Sequence, residues 1–224
     1  MFDHLIRGGT IVDGTGRAGF TADIAIADGK IVEIGRISAP AHRTTDADGA
    51  LVTPGWVDIH AHYDGQVTWD DQVAPSFWHG VSTVVMGNCG VGFAPVRADK
   101  RDWLIGLMEG VEDIPGTALS DGIQWEWETF PQYLQALSRR SFAIDIGAQM
   151  THGPLRAYAM GERGALNEAA TQEDIAAMAR MVREGMTAGA LGFSTSRTVV
   201  HRAMDGEPVP GTFAAIEELR ALAA

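Results

Sequence analysis

The chain has little cysteine, a deficit of basic charge and no long apolar run. One cysteine, Cys89, occurs in 224 residues, so no internal disulfide can form, and we expect a reducing, cytoplasmic setting. Seventeen basic residues against 29 acidic ones give a formal charge of −12, which argues against nucleic acid or an anionic membrane as a partner. No run reaches the roughly 18 apolar residues of a membrane span, and residues 1–7 lack a signal-peptide core.

The chain contains 46% hydrophobic and 21% charged residues, which is typical of a globular protein with a core. Residues 1–50 consist of short apolar runs punctuated by glycine, which predicts a small β module. Asp28-Gly29 lies between two alternating runs and predicts a hairpin with a type I′ turn. Residues 51–224 have a different pattern, and we predict a second domain there.

Strand and helix patterns alternate in residues 51–224, which predicts parallel βαβ units and the α/β fold class. The predicted strands are 51–59, 82–87, 142–150 and 190–195, and the predicted helices are 71–79, 98–109, 126–139, 171–187 and 213–222. Thr171 is the predicted N-cap of its helix. A complete (β/α)8 barrel needs roughly 250 residues, so four strands account for half of one. We therefore expect the chain to be a truncated part of a larger polypeptide.

Two histidines and the cysteine are the candidate metal ligands. His60 and His62 follow the apolar run 51–59, and alternate residues of a strand point to the same side, so both imidazoles can reach one cation. Cys89 follows the next strand, 82–87, at the same rim of a parallel sheet. Imidazole and thiolate together suit zinc. The sequence therefore predicts a metal site at this rim.

Four segments resemble one known family. Pro54–His62 (PGWVDIHAH) resembles the first-strand signature of the amidohydrolase superfamily. Gly8–Gly14 and Asp23–Ile31 resemble the small β-sandwich that flanks those barrels. Gly87–Pro95 (GNCGVGFAP) resembles the D-aminoacylase branch, the N-acyl-D-amino-acid deacylases, in which a cysteine at this place is a metal ligand. The resemblance covers essentially the whole chain.

The resemblance implies a fold and a reaction. The fold would be the first four βα units of a TIM-like (β/α)8 barrel over residues 51–224, with a β-sandwich module over 1–50 that needs C-terminal strands for completion. Cys89 would hold a tight Zn²⁺, and His60 and His62 would hold a second, weaker divalent metal or line the pocket. The catalytic aspartate would lie beyond Ala224. The implied reaction is hydrolysis of a non-peptide C–N bond by a zinc-activated water, deacylating N-acyl-D-amino acids.

Three more residues are candidate substrate contacts. His152 lies in a segment that resembles the third-strand motif of the branch, where it would sit at the barrel mouth and orient a ligand. Ser196 and Arg197 follow the fourth strand, and Arg197 can hold a carboxylate in bidentate fashion. Structural roles stay open for both charged candidates: a hydrogen bond within a loop for His152, and a rim ion pair with Asp205 or Glu207 for Arg197.

Other interpretations also stay open. Hydantoinase- and dihydroorotase-type cyclic-amide hydrolases share the His-x-His strand, but they usually bridge two metals through a modified lysine on the fourth strand, and residues 190–198 contain none. The chain could instead be a non-catalytic fragment or subunit. The predicted partner is a small amide, with no nucleic acid and no membrane, and a homo-oligomer is left open. Four aromatic residues at helical spacing are predicted to pack in the core: Trp125, Trp127, Phe130 and Tyr133.

Overall fold

The computed structural model describes residues 1–224, which divide into two compact units, Met1–Gly55 and Trp56–Ala224. The first unit ends at Gly55 rather than at residue 50 because Leu51–Val52 pairs in parallel with the first strand of the N-terminal sheet. The predicted strand 51–59 is therefore two strands, β5 (Leu51–Val52) and β6 (Trp56–Asp58). Pro54 lies between them, and it has no N–H to give to a ladder.

The N-terminal unit is one five-stranded sheet. Its other strands are β1 (Phe2–Ile11), β2 (Phe20–Ala27), β3 (Lys30–Gly35) and β4 (Ala41–Asp46). The order is β3-β2-β1-β4, with β5 also on β1; β2 is antiparallel to its neighbours, and β4 and β5 run parallel to β1. Asp28 and Gly29 join β2 to β3 with φ of 52° and 71°, the signs that a type I′ turn requires. The second layer of a sandwich stays a prediction.

The C-terminal unit is mixed α/β. Strands β6, β7 (Val81–Met86) and β8 (Asp145–Ala148) form a parallel sheet in that order, and β9 (Met150–Thr151) pairs in parallel with β10 (Phe193–Ser194). Its helices are α1 (Arg101–Glu112), α2 (Gly116–Gly122), α3 (Phe130–Ser138), α4 (His152–Met160), α5 (Glu162–Ala165), α6 (Gln172–Ala188) and α7 (Ile216–Leu222). Short 3-10 turns occur at Gln66–Thr68, Ser76–His79 and Ala98–Lys100. No helix combines the length and the apolarity that crossing a bilayer demands.

One predicted helix is wrong and three helices were not predicted. Residues 71–79 contain only the 3-10 turn Ser76–His79, because Val73 has φ of 55°, which a right-handed helix cannot include. The last helix begins at Ile216 rather than at residue 213. The unpredicted helices α2, α4 and α5 are short, and each contains glycine, which lowers helix propensity.

The apolar run 51–59 also predicts a buried strand, and this prediction is wrong for β6. Trp56, Val57 and Ile59 are 60%, 58% and 72% exposed. Strand β6 is the terminal strand of its sheet and has β7 as its one neighbour, so its apolar side chains face solvent.

The core lies between the strands and their connecting helices. The aromatic prediction is confirmed: Trp127, Phe130 and Tyr133 are 4%, 3% and 2% exposed, and Trp125 packs against the same cluster. Trp127 Nε1 donates to the carbonyl of Phe93 at 2.7 Å, so its buried N–H is satisfied. This packing supports the loops at the carboxyl ends of β6 and β7.

The N-terminus of α6 has the predicted cap and yields a first test. Thr171 Oγ1 accepts from the Asp174 N–H at 3.2 Å, and Asp174 accepts from the Thr171 N–H at 2.9 Å, a reciprocal capping box. Thr171→Ala should lower the free energy of unfolding by about 1 kcal/mol, measured by urea titration with far-UV circular dichroism. The matched control is Thr187→Ala in the same helix, whose hydroxyl only bonds the Arg183 carbonyl. Equal losses in both variants would contradict the role of the cap.

Candidate metal centre

The three candidate ligands converge. One ligand atom each from His60, His62 and Cys89 lies within 4.8 Å of the others. His60 Nε2 is 3.3 Å from Cys89 Sγ, and the two imidazole centroids are 5.3 Å apart. Ligand atoms of a tetrahedral zinc ion are about 3.3–3.7 Å apart, given bonds of about 2.0–2.3 Å. The His60–Cys89 pair has this separation, and all three ligand atoms are close enough to share one divalent cation.

The two histidines converge although strand β6 ends before them. Ala61, the residue between them, donates its N–H to the Val85 carbonyl at 3.1 Å, and its own carbonyl accepts from Asn88 Nδ2 at 3.1 Å. Ala61 is thus paired with the end of β7 as a strand residue would be. This pairing preserves the alternation that places His60 and His62 on one side.

Asn88 is a structural residue of the site that sequence reasoning missed. Its side chain is buried, donates also to the Val85 carbonyl at 2.9 Å and accepts from Gln149 Nε2 at 2.9 Å. One amide therefore connects the histidine segment, the cysteine loop and the end of the next strand. Its position directly before the cysteine, after an apolar strand, was the available signal.

The loop that carries Cys89 has a constrained backbone. Cys89 has φ of 54°, a region that non-glycine residues rarely occupy and that is often held at functional sites. A Cβ at Gly87 would lie 2.3 Å from the Gln149 carbonyl oxygen. Gly90 donates its N–H to Ser194 Oγ at 3.2 Å and accepts from the Gly153 N–H at 2.9 Å. Contacts on both sides of Cys89 thus hold it in this conformation.

The electrostatics of the site suit a cation. Burial, with Glu112 and Asp64 nearby, raises the pKa of the Cys89 thiol to about 11. Burial, with His60 and His201 nearby, lowers the pKa of His62 to about 4. At neutral pH His62 is therefore an uncharged nitrogen donor, whereas the thiol keeps its proton until a cation displaces it.

Asp64 and Glu112 add carboxyl groups beside the ligands. Burial raises the pKa of Asp64 to about 7, and its Oδ2 has no hydrogen-bond partner. Glu112 Oε1 lies 3.3 Å from His62 Nε2. Burial raises the pKa of Glu112 as well. No sequence spacing distinguished Glu112 from the other acids of its helix, since it reaches the site through tertiary packing.

The candidate substrate contacts have protein partners. His152 is fully buried; its Nδ1 lies 2.8 Å from Thr195 Oγ1 and its Nε2 lies 2.8 Å from Glu218 Oε1. Ser196 is buried, with Oγ at 3.2 Å from His201 Nδ1. Arg197 is exposed and donates to the Ala214 carbonyl at 2.8 Å.

The hydrogen bonds of His152 are therefore consistent with the structural role that the sequence analysis left open for it. Neither Asp205 nor Glu207 pairs with Arg197. Substrate contact by His152, Ser196 and Arg197 stays a prediction.

A buried ion pair connects Arg156 of α4 with Glu218 of α7. Arg156 Nη1 donates to Glu218 Oε2 at 2.6 Å, and both side chains are 2% exposed. Arg156 also donates to the Glu168 carbonyl. The pair joins α4 to α7, and Glu218 accepts from His152 as well when that imidazole carries its proton on Nε2.

Comparison with known proteins gives consistent matches. A model of the Amidohydrolase family matches residues 43–224. D-aminoacylase from Alcaligenes xylosoxydans xylosoxydans is 36% identical over 195 residues, which are 87% of this chain and 37% of the relative. A D-aminoacylase structure that addresses the role of its binuclear metal center is 30% identical with a TM-score of 0.77, covering 100% of this chain and 42% of that chain.

A second structure is similar to the chain over nearly its whole length. N-acyl-D-glutamate deacylase from Bordetella bronchiseptica, complexed with zinc and a phosphonate inhibitor that mimics the tetrahedral intermediate, is 31% identical with a TM-score of 0.73. The match covers 99% of this chain and 42% of that chain. The chain thus spans about two fifths of the length of these relatives.

The buried ion pair gives a second test. Glu218→Gln leaves Arg156 charged and unpaired in the core, so the free energy of unfolding should fall by about 3 kcal/mol in a urea titration. The control is the adjacent, exposed Glu217→Gln, which should change it by less than about 0.5 kcal/mol.

The stability difference between wild type and Glu218→Gln should also depend on pH. Burial by itself raises the pKa of Glu218, but hydrogen bonds from His152 and Arg156 outweigh it and lower the pKa. The stabilisation is complete above the unfolded-state pKa of about 4.3 and is lost as the pH falls through the lower folded-state pKa. The stability difference between wild type and Glu218→Gln should therefore shrink below about pH 4. A difference that grows on acidification would contradict this sign.

Proposed function

The chain belongs to the amidohydrolase family, and from that premise we propose that it supplies His60, His62 and Cys89 to the metal centre of an enzyme that deacylates N-acyl-D-amino acids. The observation that carries the proposal is the convergence of these three ligand atoms within 4.8 Å. The named relatives act, by their names, on D-amino-acid derivatives and support this substrate class.

The residues fit a zinc-type cation. Both ring nitrogens of His62 are buried and have no hydrogen-bond partner, which costs free energy unless a ligand satisfies one of them. A cation bound here would polarise the amide carbonyl and lower the pKa of a bound water toward neutrality. The zinc-containing deacylase structure supports Zn²⁺ as the tight metal, and the binuclear D-aminoacylase supports a second, weaker one.

The chain's own residues prepare this site. Cys89 would bind a cation as a thiolate, releasing its proton to solvent, and His62 would bind as the neutral imidazole that its low pKa favours. Asn88 keeps the histidine segment and the cysteine loop in register through its bonds to Ala61 and Val85. Gly90, fixed by Ser194 and Gly153, keeps the thiol in place.

The remaining parts of the proposal concern the whole protein. We propose that β6, β7, β8–β9 and β10 are the first four strands of a (β/α)8 barrel and that residues 1–55 belong to its flanking β-sandwich. The chain spans 37% of the D-aminoacylase relative, so the proposed activity belongs to a protein that also carries the catalytic aspartate. A cytoplasmic location is proposed because the site uses a free thiolate.

Activity of the protein that contains this chain tests the proposal. We expect hydrolysis of N-acetyl-D-amino acids over their L-enantiomers, abolished by a chelator and restored by zinc. Cys89→Ser should lower kcat/KM by at least about 100-fold, whereas the control His79→Ala, an exposed histidine outside the cluster, should leave it unchanged. Chelator-insensitive turnover would refute the metal role, and hydrolysis of hydantoins instead would favour a cyclic-amide hydrolase.

For the 224-residue chain itself we predict zinc binding without turnover. Equilibrium dialysis with metal analysis should find one bound zinc in the unaltered chain and in His79→Ala, and none in a His62→Ala, Cys89→Ser double variant. Robust amide hydrolysis by this chain would contradict the proposal that the catalytic aspartate is not among these 224 residues.

A further inference from the structure

We propose that Glu112 is a further protein ligand of the cation at this centre, a carboxylate that the end of α1 brings to His62 and Cys89. The inference rests on the proposed metal centre and adds a residue to it. It also assigns a role to a segment, Arg101–Glu112, whose sequence carries no metal-binding pattern.

Glu112 and His62 face each other at ion-pair distance without a hydrogen bond between them. Glu112 Oε1 and His62 Nε2 are 3.3 Å apart, yet both atoms are buried and neither has a hydrogen-bond partner. An N–H that pointed at the carboxylate would satisfy both groups at this distance. Two ligand atoms on a tetrahedral cation are about 3.3–3.4 Å apart when the bonds are about 2.0–2.1 Å. The pair therefore has the separation of one edge of a coordination shell.

The position of the carboxylate is fixed by the end of its helix. Glu112 is the last residue of α1, and Asp113 follows in the left-handed conformation with its N–H on the Glu109 carbonyl. A Cβ at Gly110 would lie 2.5 Å from the Arg202 carbonyl oxygen, so the last turn packs directly against that backbone. The Glu112 side chain is 19% exposed. It is held in the site rather than extended into solvent.

No permanent cation compensates this carboxylate. His62 is the only basic side chain within ion-pair distance of Glu112, and no lysine or arginine pairs with it. Its other neighbours are the Cys89 thiol and His201. A divalent cation would balance one carboxylate and one thiolate while the imidazoles contribute no charge. Glu112 thus completes a neutral site with Cys89.

Cobalt binding to the full 224-residue chain tests the proposal, because the visible spectrum of Co²⁺ reports the ligand set without any need for turnover. Glu112→Gln should weaken Co²⁺ binding by about 10-fold or more and change the d–d absorption, while the thiolate charge-transfer band from Cys89 remains. Glu112→Asp, which keeps the carboxylate, should retain the charge-transfer band and recover part of the affinity. The control Asp113→Asn removes the same charge one residue away and should stay within twofold of wild type.

The outcomes distinguish ligation by Glu112 from the existence of the metal centre itself. Wild-type affinity and an unchanged d–d spectrum in Glu112→Gln would overturn ligation by Glu112 and leave the centre intact. A weaker affinity with an unchanged spectrum would also overturn it and make Glu112 a positioning residue for His62. No cobalt binding by the unaltered chain would refute the metal centre itself. Circular dichroism of each variant checks folding, and if Glu112→Gln is unfolded, the spectrum of Glu112→Asp decides.

Discussion

The candidate site depends on the hydrogen bonds of one buried amide. Asn88 donates to the Ala61 and Val85 carbonyls and accepts from Gln149, so it connects the ends of three successive parallel strands. Ala61 alone would not hold both histidines in line after β6 has ended. A buried amide also has geometric requirements that a hydrophobic side chain lacks, since each of its polar atoms needs its own partner. Register at the rim is therefore specified by polar contacts, while the aromatic cluster beneath supplies the packing.

Around that amide, burial disfavours the charged forms of the titratable side chains. Burial disfavours charge on His62, on Cys89 and on Asp64, as the lowered pKa of the imidazole and the raised pKa values of the thiol and the carboxyl indicate. Most buried polar groups elsewhere in the unit have partners, and Glu218 has two cationic or donor neighbours. Unsatisfied groups are concentrated at the strand ends, where a ligand can satisfy them.

Sequence reasoning succeeded where a local pattern determines structure and failed where tertiary packing does. The cap at Thr171 and the turn at Asp28-Gly29 follow from short-range rules. The convergence of His60, His62 and Cys89 follows from the rule that neighbouring parallel strands end at the same edge of a sheet. Residues 71–79 look helical by composition, but the left-handed Val73 breaks the helix. Burial of β6 was inferred from apolarity, which does not show how many neighbours a strand has. Glu112 reaches the site through the packing of α1, and no pattern encodes that.

Strand β6 has a consequence for the behaviour of the chain in solution. Its outer edge carries unpaired backbone groups, and Trp56, Val57 and Ile59 beside it are largely exposed. Such an edge is a template for strand addition by another extended polypeptide, and natural proteins usually cover it or protect it with charge. Here the protection is limited to one charge, Asp58 at the end of β6, and to Pro54 just before the strand. Solubility and aggregation of this chain therefore depend on what covers β6, independently of whether a metal is bound.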